Sequence, residues 1–182
     1  MVKATPALEW LNRLDRAEAA RELRRCCGSS RWAETMAAAR PYTSLQAIVD
    51  KADEVWWTLD RVDWLEAFAA HPRIGRAGGA GRAGGAGKAR LAGKAGADDT
   101  SEWSRDEQSG VSKASRGRFE RLNREYEARF GHIFIVCAAG KSGGEMLRML
   151  ERRIGNNPDD ELRLAAEEQR EITRLRLAKL LA

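Results

Sequence analysis

The stretch "SLQAIVDKADEVWWTLD" (44–60) limits what this chain can fold into more than any other. Leu45, Ile48, Val49, Ala52, Val55 and Trp56 recur at spacings of three and four, which lines up one stripe of a helix and is incompatible with strand alternation. Ser44 before them is an N-cap. The same grammar repeats on both sides. "TPALEWLNRL" has Thr5 as a cap and Pro6 at the first helical position, where its missing N–H costs nothing. "RAEAARELRRCC" stops at "GSS", and "RWAETMAAARP" ends at Pro41. "RVDWLEAFAAHP" predicts a fifth helix with Val62, Leu65 and Phe68 or Ala69 inward, closing at Pro72. Ala, Leu, Glu and Arg dominate the composition, and these side chains lose little rotamer freedom in a helix.

The C-terminal half follows suit. Ser104 and Glu107 fit the S-x-x-E capping box, and a helix is expected through Phe119, Leu122, Tyr126 and Phe130 to Gly131 as its cap. "IFIVCAAG" (133–140) is the one β-like run, short, apolar and bounded by Gly. Two more helices follow, "SGGEMLRMLERRIG" and "PDDELRLAAEEQREITRLRLAKLL", the last with acids in its first turn and bases near its end, as the macrodipole prefers. The expectation is a single domain over residues 1–182: all-α, compact, multi-helix and bundle-like, with one short extended segment near 133–138.

Between these halves the sequence stutters: "RAGGAG", "RAGGAG", "KARLAG", "KAGADD". Too few apolar groups are present to offset ordering entropy, so 76–99 reads as a flexible Gly/Ala/Arg-rich loop inserted in the domain. It also explains the charge. The formal net charge is +5, and residues 76–96 hold five bases and no acid, which leaves 5 − 5 = 0 for the rest. A phosphate-binding face is therefore not indicated, and the tract has no aromatics on which bases could stack. Three cysteines without a C-x-x-C pair argue against a disulfide framework and a zinc site. With no secretory signal pattern and no long apolar run, the chain reads as reduced, cytoplasmic and not membrane-bound.

Few groups in this chain can do chemistry. Two histidines cannot make a three-His metal site. "AAGKSGG" is not a phosphate-binding P-loop, since that motif needs Gly where Ile135 stands. His71 and Glu107 remain as acid/base candidates. His71 precedes Pro72, which biases it toward extended backbone and directs it away from the helix end. Its ordinary pKa near ~6.5 suits proton transfer at neutral pH. Taken alone, His71 fits a surface histidine, Glu107 a helix cap, Arg176 a solvated charge, Cys26 and Cys27 half-buried packing, and the six tryptophans core anchors.

Taken together, "WLEAFAAHPRIG", "SEWSRDEQSGV", "LNREYEARFGHIFIVCAAGKSGGEMLRMLERRIGN" and "ELRLAAEEQREITRLRLAKLL" resemble the OHCU decarboxylase family, whose members act on 2-oxo-4-hydroxy-4-carboxy-5-ureidoimidazoline in urate breakdown. The likeness covers nearly the whole chain, "CCGSSRWAETMAAARP" included. It implies an all-α homodimer that acts on a small ureide without cofactor, metal, nucleic acid or membrane. It also implies roles. His71 would be the proton donor, with Pro72 beside it, and Glu107 its acidic partner. Ser104, Arg105, Asp106, Glu107 and Gln108 would form one substrate wall. Phe134, Ile135, Val136, Cys137 and Ala138 would bind through their backbone, and Arg176 would be the anion-binding arginine. Loss of CO2 leaves an electron pair that the substrate's own C=N and C=O groups can delocalise, so the protein need add only placement, charge stabilisation and a proton from one face. Two other readings compete: an anionic-polymer binder using the basic tract, and a helical interaction protein that has lost the chemistry. The stutter departs from the family, in which the corresponding link is much shorter. His132 is given no role.

Overall fold

The computed structural model describes residues 5–74 and 113–182, and within them the chain is helical with no strand. Its elements are α1 (Pro6–Arg13), α2 (Arg16–Cys26), α3 (Ser30–Ala38), α4 (Leu45–Thr58), α5 (Arg61–Ala69), α6 (Lys113–Phe130), α7 (Gly143–Arg153) and α8 (Pro158–Leu180). The all-α expectation holds. The Gly-rich tract and Ser104 to Gln108 lie outside the described residues.

Capping chemistry sets the boundaries. Thr5, Asp15, Ser29, Ser44, Asp60, Ser142 and Asn157 each accept a hydrogen bond from a first-turn backbone N–H. Each such bond removes one orphan donor, worth about 1 kcal/mol. Thr5 with Pro6, and Ser44, do what the sequence predicts. A full capping box forms at Ser142 and Glu145. Gly131 ends α6 at φ 74°, a conformation that a side chain disfavours, and its N–H bonds to Glu127 O at 2.9 Å.

Helix α8 is the hub, in contact with α2, α4, α5 and α6. The larger core gathers α1 to α5 around it, with Trp32 and Trp56 fully buried and their indole N–H groups bonded to Ala52 O and Ala166 O. The smaller core holds Phe119, Tyr126 and Phe130 of α6 against Met146 and Leu150 of α7. The tryptophans are only partly the expected anchors. Trp57 and Trp64 pack at the edge of the larger core, Trp10 is 40% exposed, and Trp103 lies outside the described residues.

The segment 133–138 runs extended between the two cores. Ile133, Ile135 and Cys137 face the larger one, while Phe134, Val136 and Ala138 face the smaller. This is strand periodicity without a sheet: both faces are buried, and among the described residues no strand pairs with it. A charged clasp holds it. Arg153 donates to Ile135 O at 2.8 Å and to Glu161 Oε1 at 2.8 Å, and its guanidinium lies 4.7 Å over the Phe134 ring. Tyr126 OH and Asn156 also donate to the Glu161 carboxylate, which is wholly buried.

Two predicted core residues are exposed: Leu45 at 41% and Val62 at 74%. Both sit in the first turn of their helices, beyond the area that the neighbours cover. The buried face of α5 is instead Ala67 and Phe68, with Ala69 on the outside, because α3 and α8 fix which stripe of that short helix is covered.

Glu161→Ala should leave Arg153 buried without its carboxylate and cost about 3–5 kcal/mol. Urea unfolding should show a lower midpoint at an unchanged slope. A loss under about 1 kcal/mol would show that the clasp does not hold the extended segment.

Candidate active site

Helix α5 ends at Ala70, and His71 N–H bonds back to Phe68 O at 3.1 Å. The next residues are tied to α6. Arg73 makes two bonds to the Glu127 carboxylate, at 2.6 and 2.7 Å, and Asn123 donates to Ile74 O at 2.9 Å. On the other side Gly28, between α2 and α3, presses on the end of α5. A methyl group there would stand 2.4 Å from Ala70 Cβ, so only glycine permits this approach. The backbone around His71 is therefore fixed from three directions.

The imidazole is half-buried, and its Nε2 atom is fully buried with no hydrogen-bond partner among the described residues. Burial, and then the nearby Arg176 guanidinium, push its pKa down to about 3, while Gln169 acts in the opposite sense. His71 is neutral at physiological pH. Arg176, on α8, is not the solvated charge that its position suggests. It is buried, and its charge acts on His71, Cys26 and Cys27 alike. The structure thus brings together two predicted site residues that lie 105 positions apart in sequence (176 − 71).

The cysteines at 26 and 27 are free and wholly buried. Burial pushes both thiols up to about 12, so they are inert packing rather than nucleophiles. Among the described residues no group of three metal-ligating side chains occurs.

Sequence reasoning missed two neighbours of this pair. Gln169 and Thr173 lie on α8 four residues apart and are buried with Arg176. Gln169 Nε2 donates to Thr173 Oγ1 at 3.2 Å, and Thr173 Oγ1 donates to Gln169 O at 3.0 Å. A signal did exist. Leu162, Ala165, Ala166, Ile172 and Leu177 mark the buried face of α8, and Gln169, Thr173 and Arg176 occupy positions on it where apolar residues are expected.

The other predicted positions fare unevenly. Pro72 is exposed. Phe134, Ile135, Val136, Cys137 and Ala138 are buried, and part of their backbone is already used within the protein. Ile135 O takes Arg153, Cys137 N–H bonds to Glu168 at 2.7 Å, and Cys137 O accepts from Lys141 at 2.7 Å. Ser104, Arg105, Asp106, Glu107 and Gln108 are not among the described residues.

A family model described as OHCU decarboxylase matches residues 12–178. The chain belongs to the OHCU decarboxylase family. It is 39% identical to "Uric acid degradation bifunctional protein TTL" of Arabidopsis thaliana over 85% of this chain, but spans only 45% of that relative's length. A "2-oxo-4-hydroxy-4-carboxy-5-ureidoimidazoline decarboxylase" of Haloferax volcanii is 25% identical, and the match covers 94% of each chain. Among solved structures, one of OHCU decarboxylase in the presence of (S)-allantoin superposes with a TM-score of 0.70 at 35% identity, covering 88% of this chain and 97% of that one. The family match thus takes in the end of α1, all of α2 to α7, the His71 seam and nearly all of the last helix. No helix among the described residues is long and apolar enough to cross a membrane.

Burial lowers the pKa of His132 as well as that of His71, in a cage of Phe68, Tyr126 and Phe130. Unfolded, each would titrate near ~6.5. Below that pH the unfolded chain binds more protons, so this stability is complete above about 6.5 and is lost as pH falls toward the folded values. Each group contributes a slope of at most about 1.4 kcal/mol per pH unit. Unfolding free energies between pH 7 and 5 should therefore decline, and His71→Asn should flatten the decline. An identical slope in the variant would contradict a buried neutral His71.

Proposed function

We propose that this chain converts 2-oxo-4-hydroxy-4-carboxy-5-ureidoimidazoline to (S)-allantoin and CO2 in urate breakdown, with His71 delivering the proton that sets the stereocentre. Family membership supports the reaction. The observation that carries the residue assignment is the meeting of a neutral, half-buried imidazole with a buried guanidinium, His71 with Arg176, at one end of α5.

The chemistry uses these two groups in distinct ways. As the carboxylate leaves as CO2, the bonding pair moves into the ring toward the C=N bond, and the ring nitrogen takes up a proton. The resulting enol must lose its hydroxyl proton and gain one on the ureido-bearing carbon. Overall one proton is consumed. A neutral imidazole suits this relocation, because it can take the hydroxyl proton and return one to carbon from a single face. An imidazolium could not accept the first. Arg176 belongs on the ring oxygen or nitrogen where negative charge grows. Placed on the departing carboxylate it would stabilise the reactant instead and slow the step.

Glu107 would orient the hydroxyl or ureido group, within a wall formed by Ser104 to Gln108. Pro72 would lie beside the substrate. The segment Phe134 to Ala138 would offer whatever backbone groups its internal bonds leave. We assign the chain to one domain that acts as a cytoplasmic homodimer without cofactor.

Substrate generated in situ from urate should give a rapid circular dichroism signal of one allantoin enantiomer. His71→Asn should lower kcat by about 10²–10⁴-fold, and Arg176→Gln by about 10²-fold or more. Racemic product formed no faster than without protein would refute the reading. A fully active His71→Asn would remove the histidine from it.

A further inference from the structure

Gln169 has one end anchored and the other unspent. Its Nε2 donates to Thr173 Oγ1 at 3.2 Å, and Thr173 Oγ1 spends its own hydrogen on Gln169 O at 3.0 Å. The hydroxyl can therefore only accept from the amide. This fixes which end of the amide is nitrogen and leaves Oε1 as the outward acceptor. That Oε1 atom is fully buried with no hydrogen-bond partner among the described residues, and so is His71 Nε2. Gln169 is wholly buried, and its side chain acts on the imidazole in the sense of an acceptor. Two buried polar atoms left unpaired on neighbouring residues are each costly, and one hydrogen bond between them satisfies both.

We propose that Gln169 is the positioning residue of the site: its Oε1 accepts from His71 Nε2–H, which fixes the ring's tautomer and leaves Nδ1 as the lone-pair nitrogen that meets the substrate. Thr173 is the clamp behind it, preventing the amide from turning its NH2 toward the ring. The chain of command runs along one stripe of α8, from Thr173 to Gln169 to His71. The other orientation would present a donor to Nε2 and favour the opposite tautomer, placing a proton where the reaction needs a lone pair. The inference rests on the decarboxylase reading for its catalytic consequence, but the tautomer can be read without turnover.

The chain has two histidines, so a long-range proton–nitrogen correlation spectrum of protein labelled with ¹⁵N-histidine contains two ring systems, and His71→Asn identifies one of them. Wild-type His71 should be in the Nε2–H form. Gln169→Leu and Thr173→Val should each produce a mixture of tautomers, and Thr173→Ser should restore the single form. In turnover, Gln169→Leu should lower kcat about tenfold or more with KM within about twofold, and product enantiomeric purity should fall. An Nδ1–H wild-type ring, or an Nε2–H signal unmoved in both Gln169→Leu and Thr173→Val, would overturn the proposal. Should Gln169→Leu fail to fold, the Thr173 pair decides alone. Wild-type protein without decarboxylase activity would refute the proposed function while the spectra still test Gln169.

Discussion

A guanidinium inside the protein is the constraint from which the rest of the site follows. Arg176 is almost wholly buried, and removing a charge from water is costly unless its surroundings are built for it. The fold accommodates it by turning one stripe of the longest helix polar, with Gln169, Thr173 and Arg176 in succession. The same charge acts on everything near it. It helps to keep His71 neutral, and it pulls down two thiols that burial holds far up. Burial, with a fixed positive charge beside it, keeps the His71 ring from holding a second proton at neutral pH. Under the proposed function, that state lets it take a proton from the substrate and give one back.

The second requirement is that His71 not move. Its backbone is gripped by the glycine contact at Gly28, by the Arg73–Glu127 pair and by Asn123 on Ile74. The Arg153–Glu161 clasp holds an extended segment between two cores. Buried pairs of this kind rarely add net stability over an apolar replacement, but breaking one is costly, and here they fix the register of a segment that has no sheet to align it.

Much of the fold was legible because the helices are locally consistent: caps, apolar stripes and breakers agree at nearly every boundary. The failures are instructive. Leu45 and Val62 fit a stripe by spacing and are exposed, because periodicity tells which residues share a face and not how far the neighbour reaches. Arg176 looked like a charge near a helix end, and nothing local in the sequence distinguishes that from burial. The resemblance to a family marked it as an anion-binding arginine, and the structure shows it buried. Gln169 and Thr173 were readable as polar interruptions of an apolar stripe. Glu161 was taken as a dipole-compensating acid, whereas Arg153 and Asn156 just before its helix and Tyr126 from distant α6 enclose it. A long-range partner such as Tyr126 leaves no trace in spacing.

A crystal structure of this chain with (S)-allantoin tests the central claim most directly. The account predicts the ureido-bearing carbon against the His71 ring, with a ring carbonyl on the Arg176 guanidinium. Allantoin bound elsewhere, or bound here with Arg176 turned away from it, would contradict the site as described.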